Sequence, residues 1–295
     1  MRFFYMLKNI HMVVFLLLSA PVIAGGELLT LEWEINNLSN PESVVYDPEN
    51  DVLYVSNVNG APTDKDSNGF ISRVSTDGTI LDREWITGMH APKGLAITNG
   101  KLYVADIDTL IEIDIANAQV SNRYLVEDAQ FLNDVTASRE GQVYVSDMVL
   151  NRIHRLDQGE FSIWLESPEL LNPNGLHIRD SETLVVGAWG VMTDGFATEV
   201  PGHLLSVNLQ DKNIQNIGDG TPVGNLDGVE EDVDGSYFVT DWINGKLFHI
   251  TADGQAELLL MLEQGMADHE FLPGRDSLYI PMMNNNKLLA YRLNR

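Results

Sequence analysis

The sequence contains no cysteine among its 295 residues and is poor in basic side chains, with 18 Lys and Arg against 43 Asp and Glu. The lack of cysteine excludes disulfide bonds, thiol nucleophiles, thiolate zinc sites and lipid attachment through a lipobox. The formal net charge of −25 argues against nucleic acid and anionic membrane surfaces, because both require Lys and Arg contacts. Most of the acidic groups are expected on a solvated, self-repelling surface. Stability must therefore come from apolar burial and strand pairing.

Long apolar runs are absent beyond the N-terminus, where residues 13–20 form one short run. Arg2 and Lys8 precede this run and Ala24 follows it, which is the three-part pattern of a cleaved secretory signal peptide. The alternative is an uncleaved membrane anchor, for which the run is short. We therefore expect residues 1–24 to be removed. The mature protein, residues 25–295, is expected in the periplasm or outside the cell, without membrane association.

An internal repeat organises the rest of the chain. Six segments, beginning at residues 42, 93, 133, 174, 227 and 268, share a β-prone stretch, a turn rich in Asp, Asn and Gly, and a second apolar strand. A third strand follows each pair, and a fourth follows in the first five repeats. This spacing is typical of four-stranded propeller blades, with insertions in the first and fourth repeats. The sequence predicts an all-β, six-bladed β-propeller in a single domain; a β-sandwich would not predict six matching units.

The two ends of the chain complement each other. The sixth repeat ends after three strands, whereas the segment LLTLEWEI (28–35) stands before the first repeat without a partner. If the N-terminal strand supplies the outer strand of the last blade, the ring closes and no sheet edge stays open.

The innermost strands should carry a ring of polar residues, because equivalent positions of a propeller surround its central tunnel. The predicted ring consists of Glu42, Lys93, Asn133, Asn174, Asp227 and Asp268. Polar side chains that face a narrow tunnel stay poorly satisfied if nothing lies between them. Four of the six present only oxygen ligands, which suit a hard divalent cation: Glu42, Asn133, Asn174 and Asp227.

Calcium is the expected ion, with magnesium, manganese and zinc as alternatives; the lack of His and Cys among the four residues disfavours a dedicated zinc or copper site. The alternative to an ion is a hydrogen-bonded polar plug that contains water.

Four segments carry a family resemblance: PESVVYD (41–47), NDV (133–135), PNGL (173–176) and LDGV (226–229). In this order they resemble the SMP-30/gluconolactonase/LRE family, whose relatives include paraoxonase-like and diisopropyl-fluorophosphatase-like propellers. The resemblance implies a divalent metal that activates the hydrolysis of lactones or related esters. It also implies that Glu42, Asn174 and Asp227 are metal ligands, and that Asn133 binds metal or substrate. Asp227 would be catalytic, as a general base on water or as a nucleophile.

The chain departs from this pattern at Phe131, where gluconolactonase-like members tend to carry an Arg that holds sugar hydroxyls. A sugar lactone is therefore less expected than a substrate with an apolar acyl or aryl group. Lys93 and Asp268 are expected near the substrate or in an ion pair. His269 is expected to be a proton shuttle or a hydrogen-bonded core residue.

Two questions stay open in the sequence. Asp64, Asp66 and Asn68 copy the start of an EF-hand loop, but Ser75 replaces the closing Glu, so the loop is an auxiliary calcium site or an Asx-rich turn. The alternative function is a non-catalytic ligand- or protein-binding propeller with a structural metal, since fold does not determine function. The oligomeric state is undetermined.

Overall fold

The computed structural model describes residues 28–295, so the predicted signal peptide (1–24) lies outside the described residues. The strands form six four-stranded antiparallel sheets and one additional two-stranded hairpin. This arrangement confirms the prediction of a six-bladed β-propeller. No helix of residues 28–295 has the length and apolarity to cross a membrane. The described helices are three single-turn 3₁₀ segments: Pro168–Leu170, Pro273–Arg275 and Met283–Asn285.

The strands follow one another in chain order from the inside of each blade to its outside. The N-terminal strand is β1 (Leu29–Ile35). Blade 1 contains β2 (Pro41–Asp47), β3 (Val52–Asn57), β4 (Gly69–Ser75) and β5 (Ile80–Met89). Blade 2 contains β6 (Pro92–Thr98), β7 (Lys101–Asp106), β8 (Thr109–Asp114) and β9 (Gln119–Leu125). Blade 3 contains β10 (Leu132–Ala137), β11 (Val143–Asp147), β12 (Arg152–Asp157) and β13 (Glu160–Glu166).

The second half repeats this order with one insertion. Blade 4 contains β14 (Pro173–Ile178), β15 (Thr183–Ala188), β18 (Leu204–Asn208) and β19 (Ile214–Asn216). The inserted hairpin consists of β16 (Gly190–Met192) and β17 (Thr198–Pro201). Blade 5 contains β20 (Leu226–Glu231), β21 (Tyr237–Asp241), β22 (Lys246–Ile250) and β23 (Ala256–Met261). Blade 6 contains β24 (Glu270–Leu272), β25 (Ser277–Met282) and β26 (Lys287–Leu293).

The fourth strand of blade 6 comes from the other end of the chain. β1 pairs antiparallel with β26, with Leu29 opposite Leu293 and Ile35 opposite Leu288. The order within this sheet is β1-β26-β25-β24.

Burial is greatest in the second strand of each blade and least in the outer strand. Every residue of the second strand β3 is buried, whereas the outer strand β9 is mostly exposed. Second strands are covered by neighbouring blades on both faces, which explains their near-continuous apolar sequence. Between blades the core contains large aromatic pairs, such as Tyr54 stacked on Trp85 at 4.6 Å between ring centroids.

Glycine lets the inner strands approach one another around the axis. A Cβ atom on Gly175 would lie 1.8 Å from the carbonyl oxygen of Asp227, and one on Gly228 would lie 2.7 Å from Oδ1 of Asp268. No side chain fits at either position. The Asn-Gly and Asp-Gly pairs of β14 and β20 therefore place a polar side chain beside the tunnel, followed by a residue small enough for close packing.

The register of blade 6 differs from the prediction. In blades 1 to 5 the first residue of the inner strand faces the last residue of the second strand: Pro41 faces Asn57, Pro92 faces Asp106, Leu132 faces Asp147, Pro173 faces Ala188 and Leu226 faces Asp241. In blade 6 the equivalent pair is Met266 and Met282, which face each other in an isolated β-bridge. The sixth position of the ring is therefore Ala267.

The prediction that Asp268 shares the ring of Glu42 is wrong by one residue. Asp268 lies one step further along the tunnel and bridges Ser43. Polar side chains occupy this second ring in other blades as well, as with Ser43 and Asp134. A single polar residue therefore does not fix the register.

Candidate metal and substrate site at the tunnel mouth

Four inner strands each contribute their second residue to one cavity. Glu42 of β2, Asn133 of β10, Asn174 of β14 and Asp227 of β20 all line it. The cavity has a volume of about 100 Å³. All four side chains are buried, with exposures between 1% and 6%. The structure therefore brings together the four residues that the sequence assigned to a cation, and they form the polar floor of the cavity.

Hydrogen bonds orient part of this floor and leave other atoms without partners. Nδ2 of Asn174 donates to the carbonyl oxygen of Leu226 at 3.1 Å, and Nδ2 of Asn133 donates to Oδ1 of Asn174. Within residues 28–295, Oε2 of Glu42 and Oδ1 of Asn133 are buried without any hydrogen-bond donor. Two unsatisfied acceptors in one small cavity are costly unless a cation or a ligand completes them.

The carboxyl groups of the floor are strongly perturbed. Burial raises the pKa of Glu42 well above its usual value, and the nearby Asp227 and Asp268 raise it further, while Lys93 opposes them. Burial likewise raises the pKa of Asp227, with contributions from Asp268 and Asp241. Without a compensating charge, the floor therefore resists ionisation. A divalent cation would reverse this effect, because an adjacent positive charge favours the carboxylate.

The donor set fits a hard divalent cation. It offers two carboxylates and two amide oxygens, and two of its oxygen atoms have no protein partner. Hard cations such as Ca²⁺ prefer oxygen ligands of these kinds. Glu42, Asn133, Asn174 and Asp227 are the residues that would hold the ion.

Lys93 is a buried positive charge at the same cavity. Its side chain is 1% exposed, and Nζ donates a hydrogen bond to the carbonyl oxygen of Ala91 at 2.9 Å. Nζ also lies 4.5 Å from the centroid of the Phe131 ring, a cation–π contact. Burial lowers the pKa of Lys93 to about 8, whereas Glu42 and Asp106 act in the opposite direction. Of its three N–H groups, the hydrogen bond to Ala91 uses one, which leaves donors for a ligand oxygen.

The walls of the cavity are apolar. The described residues that share this property and line it are Pro62, Phe131, Met148, Trp189, Phe196, Trp242 and Met283. Phe131 lies there as expected, and both Trp189 and Trp242 also face the cavity. Phe196 belongs to the hairpin inserted in blade 4. Nothing in the sequence pattern singled it out except the additional length of that repeat.

Asp268 and His269 do not line this cavity. Asp268 accepts a hydrogen bond from the hydroxyl of Ser43 at 2.5 Å, and burial raises its pKa to about 7. His269 is 1% exposed, and neither ring nitrogen has a hydrogen-bond partner among the described residues. Burial lowers the pKa of His269 to about 3, with a further contribution from His177. The expected substrate contact of these two residues therefore has no geometric support, although both lie next to the floor.

More carboxyl groups line the tunnel below the floor. Asp134, Glu230, Asp268 and Glu270 surround a second cavity of about 190 Å³. Burial raises the pKa of Glu270 to about 8, with Asp268 adding to the effect and the backbone N–H of Tyr46 opposing it. The tunnel is therefore acidic along its length.

Another set of side chains, outside the tunnel mouth, has the spacing to share an ion. Within residues 28–295 it consists of Asp232, Asp234 and His249. The Arg295 guanidinium already pairs with Asp232, and the Ser236 hydroxyl contacts both other members.

The loop at residues 64–68 has the geometry of an Asx turn. The backbone N–H of Asn68 donates to Oδ1 of Asp66 at 3.3 Å, and its Nδ2 donates to Oδ2 of Asp66 at 2.6 Å. Lys65 pairs with Asp108 of the next blade. These contacts give Asp66 partners within the protein.

No protein-family model and no curated protein sequence matches the chain. Solved structures are similar to it. A gluconolactonase from Xanthomonas campestris is 16% identical with a TM-score of 0.68, and the alignment covers 94% of each chain. Virginiamycin B lyase from Staphylococcus aureus is 13% identical with a TM-score of 0.63, over 90% of this chain and 100% of the lyase. A streptogramin B lyase gives the same identity and TM-score. Likeness at these identities shows the fold, and a gluconolactonase is among the structural neighbours, as the sequence resemblance implied.

Proposed function

We propose that the protein is an exported, divalent-metal-dependent hydrolase of lactones or related esters, with calcium as the expected ion. The observation that carries the proposal is the floor of the cavity. It combines two carboxylates with two amide oxygens, and two of its buried acceptors have no protein partner. The gluconolactonase among the structural neighbours supports the same class of reaction.

The floor residues and Lys93 would have different roles in the reaction. When bound, the cation polarises the ester carbonyl and stabilises the negative charge that develops on its oxygen. Glu42 and Asp227 would balance the charge of the ion, and the amide oxygens of Asn133 and Asn174 would complete its protein ligands. The N–H groups of Lys93 that are not used by the carbonyl oxygen of Ala91 would donate to a substrate oxygen.

Asp227 is the proposed catalytic residue. It is 4% exposed and borders the cavity, so it can accept a proton from a water molecule or attack the carbonyl carbon. A carboxylate next to a cation has a lowered pKa and is a modest base, which leaves both roles open. A single-turnover reaction in water labelled with heavy oxygen distinguishes them. Attack by Asp227 would form a mixed anhydride and release the alkoxide of the ester. Water that then adds to the aspartyl carbon would leave an unlabelled aspartate oxygen in the product and a labelled oxygen on Asp227, whereas direct attack by water on the ester gives labelled product.

A panel assay tests the function. Purified mature protein is incubated with lactones and aryl esters after chelation and again after calcium is restored. We expect reaction only with calcium. A lactone should give one product heavier than the substrate by one water, and an aryl ester should give an acid and a phenol whose masses add up to the ester plus one water. An unchanged mass with a new double bond would instead indicate elimination, the type of reaction of a lyase. If no substrate reacts and calcium still raises the melting temperature, the alternative of a non-catalytic binding propeller replaces the hydrolase.

Export is part of the proposal and is supported by the pattern of residues 1–24. We expect the protein in the periplasmic or extracellular fraction, with Gly25 as its first residue. N-terminal sequencing of the protein from that fraction tests this, and a chain that begins at Met1 in the cytoplasm would contradict it.

A further inference from the structure

The hairpin inserted in blade 4 carries an aromatic side chain to the cavity. Its tip is closed by hydrogen bonds from the N–H of Thr193 to the carbonyl oxygen of Ala197 at 2.8 Å, and from the N–H of Ala197 to that of Asp194 at 3.1 Å. The indole N–H of Trp189 donates to the carbonyl oxygen of Phe196 at 2.9 Å. The backbone of Phe196 is therefore held by Trp189, a residue of the cavity wall. The same hydrogen bond keeps the tip of the hairpin in place.

The Phe196 ring completes an aromatic wall without being buried by it. Its centroid lies 5.0 Å from that of Phe131 and 6.4 Å from that of Trp189, and Trp189 lies 6.4 Å from Trp242. These separations are those of favourable aromatic pairs. Phe196 is nevertheless 37% exposed, in contrast to Phe131 and Trp189, which are 6% and 5% exposed. A face of the ring is available to a ligand.

The distribution of polarity limits what this wall can bind. The charged and amide side chains that line the cavity are the floor residues and Lys93. Within residues 28–295 the walls add the indole N–H groups of Trp189 and Trp242, of which that of Trp189 already donates to the carbonyl oxygen of Phe196. Phe131 and Phe196 offer a hydroxyl group neither a donor nor an acceptor. A hydroxyl group buried there without a partner would cost about 1–3 kcal/mol.

We propose that Phe196 determines the specificity of the site by contacting a flat apolar group, an aryl ring or the first carbons of an acyl chain, attached to the ester or lactone. The assignment rests on the proposed function for the reacting part of the substrate, but the aromatic wall acts on binding alone. Polyhydroxylated lactones are disfavoured, since their hydroxyl groups would meet the rings of Phe131 and Phe196, which have no donor or acceptor.

Calorimetric titration with cyclic amides separates binding from hydrolysis, because amides of this kind resist ring opening. We compare an unsubstituted lactam, a phenyl-substituted lactam and a polyhydroxylated lactam on the mature protein with calcium present. The phenyl-substituted compound is expected to bind about tenfold tighter than the unsubstituted one, which corresponds to about 1.4 kcal/mol. Equal affinities, tighter binding of the hydroxylated compound, or no binding by any of the three would overturn the proposal.

Variants then assign the preference to the hairpin. F196A should reduce the preference for the phenyl group about tenfold, whereas F196L should keep most of it because Leu also offers apolar surface. V191A is the matched control, since Val191 is on the same hairpin, is 54% exposed and does not line the cavity. A preference that survives in F196A, or is lost equally in V191A, contradicts the assignment. If F196A does not fold, F196Q takes its place, because Gln keeps a side chain of some length but replaces the apolar ring with an amide, and a preference that survives in F196Q contradicts the assignment.

The two proposals fail in different ways. If the phenyl-substituted lactam binds with dependence on Phe196 but no lactone or ester is opened, the hydrolase is wrong and the ligand class stands. If lactones are opened but hydroxylated ones are preferred, the hydrolase stands and the role of Phe196 is wrong.

Discussion

Replacing Glu42 by Gln should have opposite effects on stability with and without a cation. Glu42 is 6% exposed, its Oε2 has no donor among the described residues, and burial together with Asp227 disfavours its charge. The E42Q variant removes one of two like charges from the floor. At alkaline pH the buried wild-type carboxyl must either ionise inside the protein or keep a proton that it would release in the unfolded chain, and both lower the free energy of unfolding. The cation-free variant should therefore be more stable than the cation-free wild type at alkaline pH.

With the cation bound, the wild type should be more stable than E42Q. At a calcium concentration about 100 times the dissociation constant, binding stabilises the wild type by about 2.7 kcal/mol. At about 2–4 °C per kcal/mol, the wild-type melting temperature should rise by about 5–10 °C. If the loss of a charged ligand weakens binding about a hundredfold, the same calcium concentration stabilises E42Q by about 0.4 kcal/mol, or about 1 °C.

Thermal melts of both proteins in chelator and in calcium measure this reversal in the order of stability. E49Q is the matched control, since Glu49 belongs to an exposed turn of the same blade and should behave as wild type in both conditions. If E42Q gains as many degrees from calcium as the wild type, Glu42 is not a ligand. If the cation-free variant is less stable than the cation-free wild type, the electrostatic account of the floor is wrong.

Three further predictions follow from the same structure. D227N should lower the rate of hydrolysis by at least about a hundredfold while circular dichroism shows an intact fold, and near wild-type turnover would exclude a catalytic role. The pKa of Glu270 is about 8 in the folded protein, against 4.5 for an unperturbed Glu in the unfolded chain. Between these two pH values the folded cation-free protein holds a proton that the unfolded chain has released. The free energy of unfolding therefore falls as the pH rises, by up to about 1.4 kcal/mol per pH unit. E270Q should flatten that slope in urea unfolding, and an identical slope would contradict the burial argument. On β1, I35A should cost about 2–5 kcal/mol because Ile35 is 6% exposed, whereas L31A on the same strand, where Leu31 is 47% exposed, should change stability by about 0.5 kcal/mol or less; equal effects would show that β1 does not pack as described.

Repeat counting predicts the fold well because each blade carries its own turn and strand signals. The first five starts, the order of strands and the extra length in the fourth repeat all correspond to features of the structure. The register of the last blade does not follow from the same reasoning. Asp268 is the first charged residue of the sixth repeat, but the backbone pairing of Met266 with Met282 shows that Asp268 lies one step further along the tunnel than Glu42.

The floor of the site could be predicted and most of its wall could not. Glu42, Asn133, Asn174 and Asp227 recur at one position of a repeat, so the repeat itself brings them together. Phe196 lies in an insertion that has no equivalent in other blades. Its approach to Phe131 depends on the folding of a hairpin across the tunnel mouth, which a one-dimensional pattern does not encode.

A calcium titration followed by two readouts tests the central claim most directly. Chelated wild-type protein receives increasing calcium, and bound calcium and the rate of hydrolysis of a phenyl-substituted lactone are measured in the same samples. The account predicts that the rate rises in proportion to the occupancy of a site at the tunnel mouth that is weakened in E42Q, and that D227N stays inactive at every occupancy. Hydrolysis that is independent of calcium, or full activity in D227N, would contradict it.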